Sequence, residues 1–350
     1  MALTTEEGCI VPTSRSLVFG GDARLLEGVL ISGEVVGGNV DQERRAESRL
    51  QMTGYLEAEA RIFSAYALSP SVRALSLTQP RVRLRALEVG AGEPAVLLHG
   101  FSHCAAHWAP LVSRLSDVRG VILDLPGHGA ADAVDYRGID LRAWFTEMLT
   151  GCLDTLGLKQ VRLIGHSQGA MIAFWFALDA PTRVRSVVAI GTPAVAFGAR
   201  LDSLRFLTRP GIGRLLLWMP KPPAAYRQIM AETMGGPAVR AYPELVRSTY
   251  LATHRSGYAK TISSYLREMF RGADAEPRRY TLSDDELRRL TQPVLVLWGA
   301  EDTRFQSIEG AKAKASLIPH GRFEVVPGGH EPWLDDLDAC AGLISVFHSG

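Results

Sequence analysis

The sequence has no strong excess of charge of either sign. Its 350 residues include 38 Lys and Arg against 37 Asp and Glu, which gives a formal net charge of +1. Polyanions such as nucleic acid, and anionic membrane surfaces, are bound mainly through a large basic excess. We therefore expect neither nucleic acid nor a membrane as a partner.

Cysteine and long apolar runs are also scarce. The four cysteines are far apart and form no CxxC pair, which favours reduced thiols in a cytoplasmic protein over a disulfide framework. The N-terminus has no basic segment followed by an apolar core, so no secretory signal is predicted. The longest apolar stretch, residues 163–180, is broken by polar residues and predicts a buried strand and helix rather than a membrane span.

The order of strand and helix patterns predicts an α/β fold. From Val82 onward, short apolar strands alternate with helices, which is typical of a doubly wound, mostly parallel sheet. The first two strands, 82–89 and 95–98, are separated by a glycine-rich turn and predict a β-hairpin at the sheet edge. A leading amphipathic helix is predicted over 43–68, with Leu50 and Leu56 among its apolar residues.

The alternation stops after the strand 185–190 and resumes at Pro293. The intervening residues are rich in aromatic residues, methionine and proline, which predicts a helical insertion above the sheet. The predicted division is an irregular or disordered extension at 1–50, a first part of the core with its leading helix at 51–193, a helical cap at 194–290 and a second part of the core at 291–350.

A sharp strand–turn–helix is predicted over residues 161–174. Gly165 and Gly169 flank Ser167 in the pattern G-x-S-x-G, between an apolar strand and an apolar helix. A serine at the apex of so tight a turn leaves no room for Cβ atoms two residues before and after it. Backbone strain of this kind persists mainly where function uses it, so Ser167 is the candidate nucleophile.

A serine hydroxyl needs a base, and the base needs a third group to orient it. Open α/β sheets place such groups at the carboxyl ends of their strands. His330 follows the strand 322–326 and is the candidate base, and Asp302 follows the strand 293–298 and is the candidate acid. Glu301 is the nearby competitor for the acid, and Asp124 is a weaker one.

Two backbone N–H groups are candidates for holding the oxyanion of the reaction. The first belongs to Gln168, directly after the serine and at the start of a helix. The second belongs to Phe101, in the loop after the strand 95–98. The residues expected to line the pocket around them are His99, Gly100, His166 and Trp333.

Together these motifs resemble the α/β-hydrolase fold, in its serine hydrolase (esterase- or lipase-like) form with a helical cap. The resemblance covers about residues 80–350 and implies a catalytic triad of Ser167, Asp302 and His330 with no metal or organic cofactor. Ala130 and Ala131 depart from it, because family members often have a serine shortly after the turn that ends at Gly129. The matching segments are His99–Phe101, Asp124–Gly129, Gly165–Gly169, Trp298–Asp302 and Gly329–Trp333.

A zinc site is the main alternative use of the histidines. His99, His103 and His107 are spaced by four, with Cys104 between them. However, His99 closes a strand, so the three cannot lie on one helix face, and no metal is expected. Gly90 to Gly92 is too short for a dinucleotide fingerprint and is interpreted as a hairpin turn.

The predicted function is hydrolysis of a small-to-medium apolar carboxylic ester through an acyl-enzyme. Three alternatives use the same scaffold: C–C bond hydrolysis, cofactor-free perhydrolysis (haloperoxidase-like) and slow-turnover ligand binding by a receptor. The expected partner is a small-molecule substrate, and the protein is expected to be a monomer or a homodimer.

Overall fold

The computed structural model describes residues 37–195, 206–209, 212–219, 221–234, 236–271, 281–302 and 307–350. The compact unit that carries the sheet spans Arg45–Gly350. Residues 1–36 of the predicted extension, which include Cys9, lie outside the described residues. The stretches 196–205 and 272–280 of the predicted cap also lie outside them.

An eight-stranded sheet forms the centre of this unit, in the order β1-β2-β4-β3-β5-β6-β7-β8. β2 is antiparallel to both of its neighbours, and the other neighbouring pairs are parallel. The predicted α/β class with a mostly parallel sheet is therefore confirmed. The strands are β1 (Ser71–Thr78), β2 (Arg81–Val89), β3 (Glu93–Leu98), β4 (Val118–Asp124), β5 (Val161–His166), β6 (Val184–Ile190), β7 (Val294–Gly299) and β8 (Gly321–Val326).

The predicted edge hairpin is wrong in its pairing. β2 and β3 are not neighbours, because β4 lies between them and pairs Ile122 with Leu87 on one side and with Leu97 on the other. The hairpin instead joins β2 to β1, with Ser71 opposite Glu88. The β1 strand has an exposed first half and therefore gives a weak sequence signal, whereas β3 is a central strand buried by neighbours on both sides.

Helices surround the sheet, and the described secondary-structure elements of the insertion between β6 and β7 are helices, as predicted. None of the described helices has the length and apolar character needed to cross a membrane. The helices are α1 (Gly37–Ala65), α2 (Ala109–Val112), α3 (Leu141–Thr155), α4 (Gln168–Asp179), α5 (Ile212–Trp218), α6 (Pro223–Met234), α7 (Gly236–Ala241), α8 (Pro243–Thr253), α9 (Tyr258–Met269), α10 (Asp284–Arg288), α11 (Ile308–Ala315), α12 (Pro332–Asp335) and α13 (Leu337–Ser349).

Two hydrophobic clusters sandwich the sheet. In β3, Val96 and Leu98 belong to one cluster, whereas Ala95 and Leu97 belong to the other. Because successive residues of a strand point to opposite faces, both faces of this strand are covered by apolar side chains. This explains why the central strands read as continuous apolar runs rather than as alternating ones.

The part of α1 that belongs to the sheet unit packs one side against it. Tyr55, Ile62 and Phe63 are buried, as their spacing predicts. Leu50 and Leu56 are exposed, so two members of the predicted apolar face are wrongly assigned to it. The helix begins at Gly37, before the predicted start at Glu43.

A buried charge cluster ties α1 to the sheet. The Arg85 guanidinium on β2 donates to Glu59 of α1 at 2.7 Å and to Asp124 at the end of β4 at 2.6 Å. Asp124 also accepts the backbone N–H groups of Ala105 and Ala130. Its carboxylate is thus committed to holding loops, which is a structural role rather than that of a catalytic acid.

Replacing Arg85 with methionine should destabilise the fold strongly. The change leaves Glu59 and Asp124 buried without their cation, and breaking a buried ion pair by removing one partner typically costs about 3–5 kcal/mol. Urea unfolding of the two proteins measures this difference.

Arg83→Met is the matched control, two residues away on the same strand. The Arg83 side chain is largely exposed in its ion pair with Asp132, so this variant should unfold near the wild-type midpoint. Equal midpoints for the Arg83 and Arg85 variants would contradict the importance of the buried cluster.

Candidate active site

The turn at Ser167 has a strained backbone. Ser167 lies between the last residue of β5 and the first residue of α4, with φ 50° and ψ −113°. A positive φ is rare for a residue with a side chain. The Ser167 N–H donates to the Ile190 carbonyl at 2.9 Å, which ties the turn to the end of β6. The side chain is half-buried, whereas its neighbours His166 and Gln168 are buried.

The two flanking glycines are required by close contacts. A Cβ on Gly165 would lie 2.5 Å from the backbone nitrogen of Ala170, and a Cβ on Gly169 would lie 2.0 Å from the Leu98 carbonyl oxygen. No side chain fits at either position. The start of α4 is consequently pressed against the end of β3, as the G-x-S-x-G pattern predicts.

Asp302 and His330 come together at the carboxyl ends of β7 and β8. The Nδ1 atom of His330 lies 2.7 Å from Oδ2 of Asp302, and both side chains are buried. A hydrogen bond from Nδ1–H to the carboxylate orients the ring and selects the tautomer whose Nε2 can accept a proton. Glu301, the competing acid of the sequence, is exposed.

His330 also lies close to the residues that hold the serine turn. A Cβ on Gly191 would lie 2.9 Å from Nδ1 of His330, and Gly191 directly follows the Ile190 carbonyl that holds Ser167. His166, beside the serine, donates its Nε2–H to the His330 carbonyl at 3.0 Å. The nucleophile and base candidates are therefore carried by loops that contact each other directly.

The predicted pocket residues pack tightly behind these loops. A Cβ on Gly100 would lie 2.6 Å from Nδ1 of His166, whose ring centroid is 4.9 Å from that of Trp333. Trp333 stacks on Trp108 at 4.9 Å. His99 accepts the Leu125 N–H through Nε2 at 3.0 Å and is buried, so it holds two loops together.

The two predicted oxyanion donors lie on adjoining segments. Gly169 packs against the carbonyls of Leu98 and His99, which brings the start of α4 next to the loop that contains Phe101. Within the described part of the chain, the N–H groups of Phe101 and Gln168 make no hydrogen bond. Their assignment to the oxyanion stays a prediction.

A buried cluster beside the site was missed by the sequence reasoning. Glu331 follows the candidate base. One of its oxygens is in hydrogen-bond contact with Nε2 of His103, and the other lies 2.9 Å from Nδ1 of His107. The zinc alternative grouped the wrong residues, because His99 contacts other partners. Among the described residues, the donors of His103, His107 and Glu331 lie within 4.8 Å of one another and are those that could hold a metal.

The comparison with known families decides the assignment. A family model described as the alpha/beta hydrolase fold matches residues 94–337, which is more than half of the chain. The chain belongs to the α/β-hydrolase family. The resemblance inferred from the serine turn, the Asp302 and His330 loops and the helical insertion is thereby confirmed.

The proteins similar to this α/β hydrolase are named for more than one activity. The chain is 28% identical over 253 residues to a 2-hydroxy-6-oxononadienedioate/2-hydroxy-6-oxononatrienedioate hydrolase of Paraburkholderia phymatum, and the match covers 70% of this chain and 83% of the relative. Carboxylesterase CesB of Bacillus subtilis superposes with a TM-score of 0.67 at 20% identity, covering 85% of this chain and 98% of the esterase.

A third comparison gives the same fold. A 2-hydroxy-6-oxo-6-phenylhexa-2,4-dienoate hydrolase from Rhodococcus sp. strain RHA1 also has a TM-score of 0.67, at 21% identity, with 81% of this chain and all of that chain covered. At these identities the structural matches establish the fold and leave the substrate undetermined.

Acid should destabilise this hydrolase through its buried neutral histidines. Burial lowers the pKa of His128 to about 4, from an ordinary value of 6.5. The unfolded chain therefore takes up a proton between these pH values that the folded chain does not, so stability present above about pH 6.5 is lost as the pH falls. The loss is up to about 1.4 kcal/mol per pH unit for one histidine.

His128→Gln tests this contribution. The amide can still accept the Ser102 N–H and donate to the Pro126 carbonyl, the two partners of the histidine ring, but it does not titrate. Urea unfolding between pH 7 and pH 5 should show a shallower loss of stability in the variant than in the wild type. Identical slopes would show that His128 is not held neutral by the fold.

Proposed function

We propose that the protein is a serine hydrolase that cleaves a small-to-medium apolar carboxylic ester through an acyl-enzyme. The observation that carries the proposal is the 2.7 Å contact between His330 Nδ1 and Asp302, on loops packed against the strained turn of Ser167. A strained serine beside an oriented histidine–carboxylate pair is the arrangement that activates a hydroxyl nucleophile.

In the proposed reaction, Ser167 Oγ attacks the ester carbonyl carbon and passes its proton to Nε2 of His330. Asp302 stabilises the imidazolium that forms, and the N–H groups of Phe101 and Gln168 hold the oxyanion. Collapse of the intermediate expels the alcohol, which takes the proton from His330. Water then attacks the acyl group with the same histidine as base, which releases the acid and restores Ser167.

The surroundings of the loop after β3, which contains Phe101 and is called the oxyanion loop below, support an uncharged, apolar substrate. The Phe101 ring lies 6.0 Å from that of Tyr265 and 6.5 Å from that of His128, and Tyr258 bonds Ser102 through its hydroxyl at 2.7 Å. Tyr258 and Tyr265 both belong to the cap helix α9. Aromatic groups with few charges favour an apolar acyl or alcohol portion over an ionic one.

A second candidate is C–C bond hydrolysis of a vinylogous diketone. It is favoured by one observation, that relatives with this kind of substrate in their names match this sequence over most of their length. The same serine, histidine and aspartate would serve, and the substrate would present a carboxylate to the pocket. The candidates therefore differ in the ligand that the pocket must accept rather than in the triad.

Fluorophosphonate labelling and a substrate panel test the proposal. Wild-type protein should be labelled at Ser167 and should hydrolyse p-nitrophenyl esters with a maximum at short to medium acyl chains. Ser167→Ala should retain its fold, lose labelling and lose about 10⁴-fold or more in kcat. Ser316→Ala, at an exposed serine after α11, is the control that should behave as wild type.

The panel also separates the alternatives. Turnover of a 2-hydroxy-6-oxo-dienoate with no ester hydrolysis would contradict the ester-hydrolase proposal and support C–C bond hydrolysis instead. Labelling of Ser167 without steady-state turnover of either class would indicate a slow-turnover binding protein. Full activity in Ser167→Ala would contradict every version of the triad.

A further inference from the structure

One buried histidine, His103, joins the loop that contains His330 to the loop that contains Phe101. His103 contacts Glu331, the residue after His330, through Nε2, and it contacts the Phe101 carbonyl through Nδ1 at 2.7 Å. The side chains of His103 and Glu331 are at most 3% exposed. Water therefore does not compete for these hydrogen bonds.

The partners determine where the protons of this cluster lie. A carbonyl oxygen only accepts, so Nδ1 of His103 carries a proton. Burial alone would raise the pKa of Glu331, but His103 and His107 outweigh it and hold that pKa well below the ordinary value. The carboxylate is therefore ionised, and it lies in hydrogen-bond contact with Nε2 of His103.

The third member of the cluster is His107. Burial lowers the pKa of His107, with Glu331 opposing the shift. Its Nδ1 lies 2.9 Å from Glu331, and its Nε2 lies 2.7 Å from the hydroxyl of Thr249 on α8, which donates to the Leu245 carbonyl. The cluster is thus tied to a cap helix as well as to the two loops.

We propose that His103, held by Glu331, is a positioning residue that fixes the backbone of Phe101 relative to His330 and so keeps the oxyanion donor aligned with the base. The proposal rests on the proposed function, because it assigns the Phe101 N–H to the oxyanion. The Phe101 carbonyl is held by His103, which restrains the backbone of the residue whose N–H is the proposed donor. The loop that must remain still during the reaction is thus held by a charge-assisted hydrogen bond.

His103→Gln removes the imidazole ring that bridges Phe101 and Glu331 while keeping an amide of similar length. Thr249→Val is the matched control, because it removes a hydrogen bond from the outer end of the cluster and leaves the contact between His103 and Glu331 in place. The measurements are kcat and KM on the best p-nitrophenyl ester, and inhibition by a trifluoromethyl ketone of the same chain length, which forms an oxyanion on the serine.

For His103→Gln we expect kcat to fall about tenfold to a hundredfold, a range below the loss of a whole oxyanion donor. KM should stay within about twofold, and the affinity for the ketone should fall in parallel with kcat. Thr249→Val should keep kcat within about twofold. A merely structural role would lower the melting temperature without this parallel loss, and that pattern would overturn the proposal.

A measurement on the wild type does not depend on how the variants fold. In protein labelled with ¹⁵N-histidine, one imidazole N–H should exchange slowly with solvent and show a contact to Phe101, and its signal should be absent in His103→Gln. A His103 ring N–H that exchanges rapidly and lacks the contact to Phe101 would overturn the proposal. Stoichiometric zinc that survives dialysis in the wild type and is absent from His103→Gln would also overturn it in favour of a metal site.

The outcomes separate this proposal from the proposed function. Wild-type turnover together with unchanged kcat in His103→Gln overturns the positioning role alone. A wild type that neither hydrolyses esters nor reacts with a fluorophosphonate overturns the proposed function, and the role of His103 with it.

Discussion

The packing of the serine turn between two strand ends is the constraint on which the site depends. Gly169 leaves no space between α4 and the end of β3, and the Ser167 N–H is bonded to the end of β6. These contacts hold a positive φ that the residue would not adopt alone. The turn places Ser167 at the carboxyl end of the central strand β5, beside the loops that follow β3 and β8.

Buried side-chain contacts link those loops directly to one another. His166 holds the carbonyl of His330 and packs against Gly100, while Glu331 reaches the oxyanion loop through His103. The candidate base, the candidate oxyanion donor and the nucleophile thus share buried supporting contacts. A displacement of one loop would be transmitted to the other two.

Much of the fold and of the site could be predicted from the sequence because the signals are local. The glycines around Ser167 and the apolar strands before Asp302 and His330 each lie within a few residues of the groups that they position. The β1–β2 hairpin and the contact between His103 and Glu331 could not be predicted in this way. The first involves a half-exposed strand with a weak pattern, and the second joins residues 228 positions apart.

The proposed reaction requires Ser167 to become acylated during turnover. Mixing the protein with excess p-nitrophenyl ester, quenching in acid within milliseconds and mapping the peptides by mass spectrometry tests this step most directly. We expect a burst of p-nitrophenol and an acyl mass on the peptide that contains Ser167. Steady ester turnover with no burst and no acylated Ser167 peptide at any quench time would contradict it.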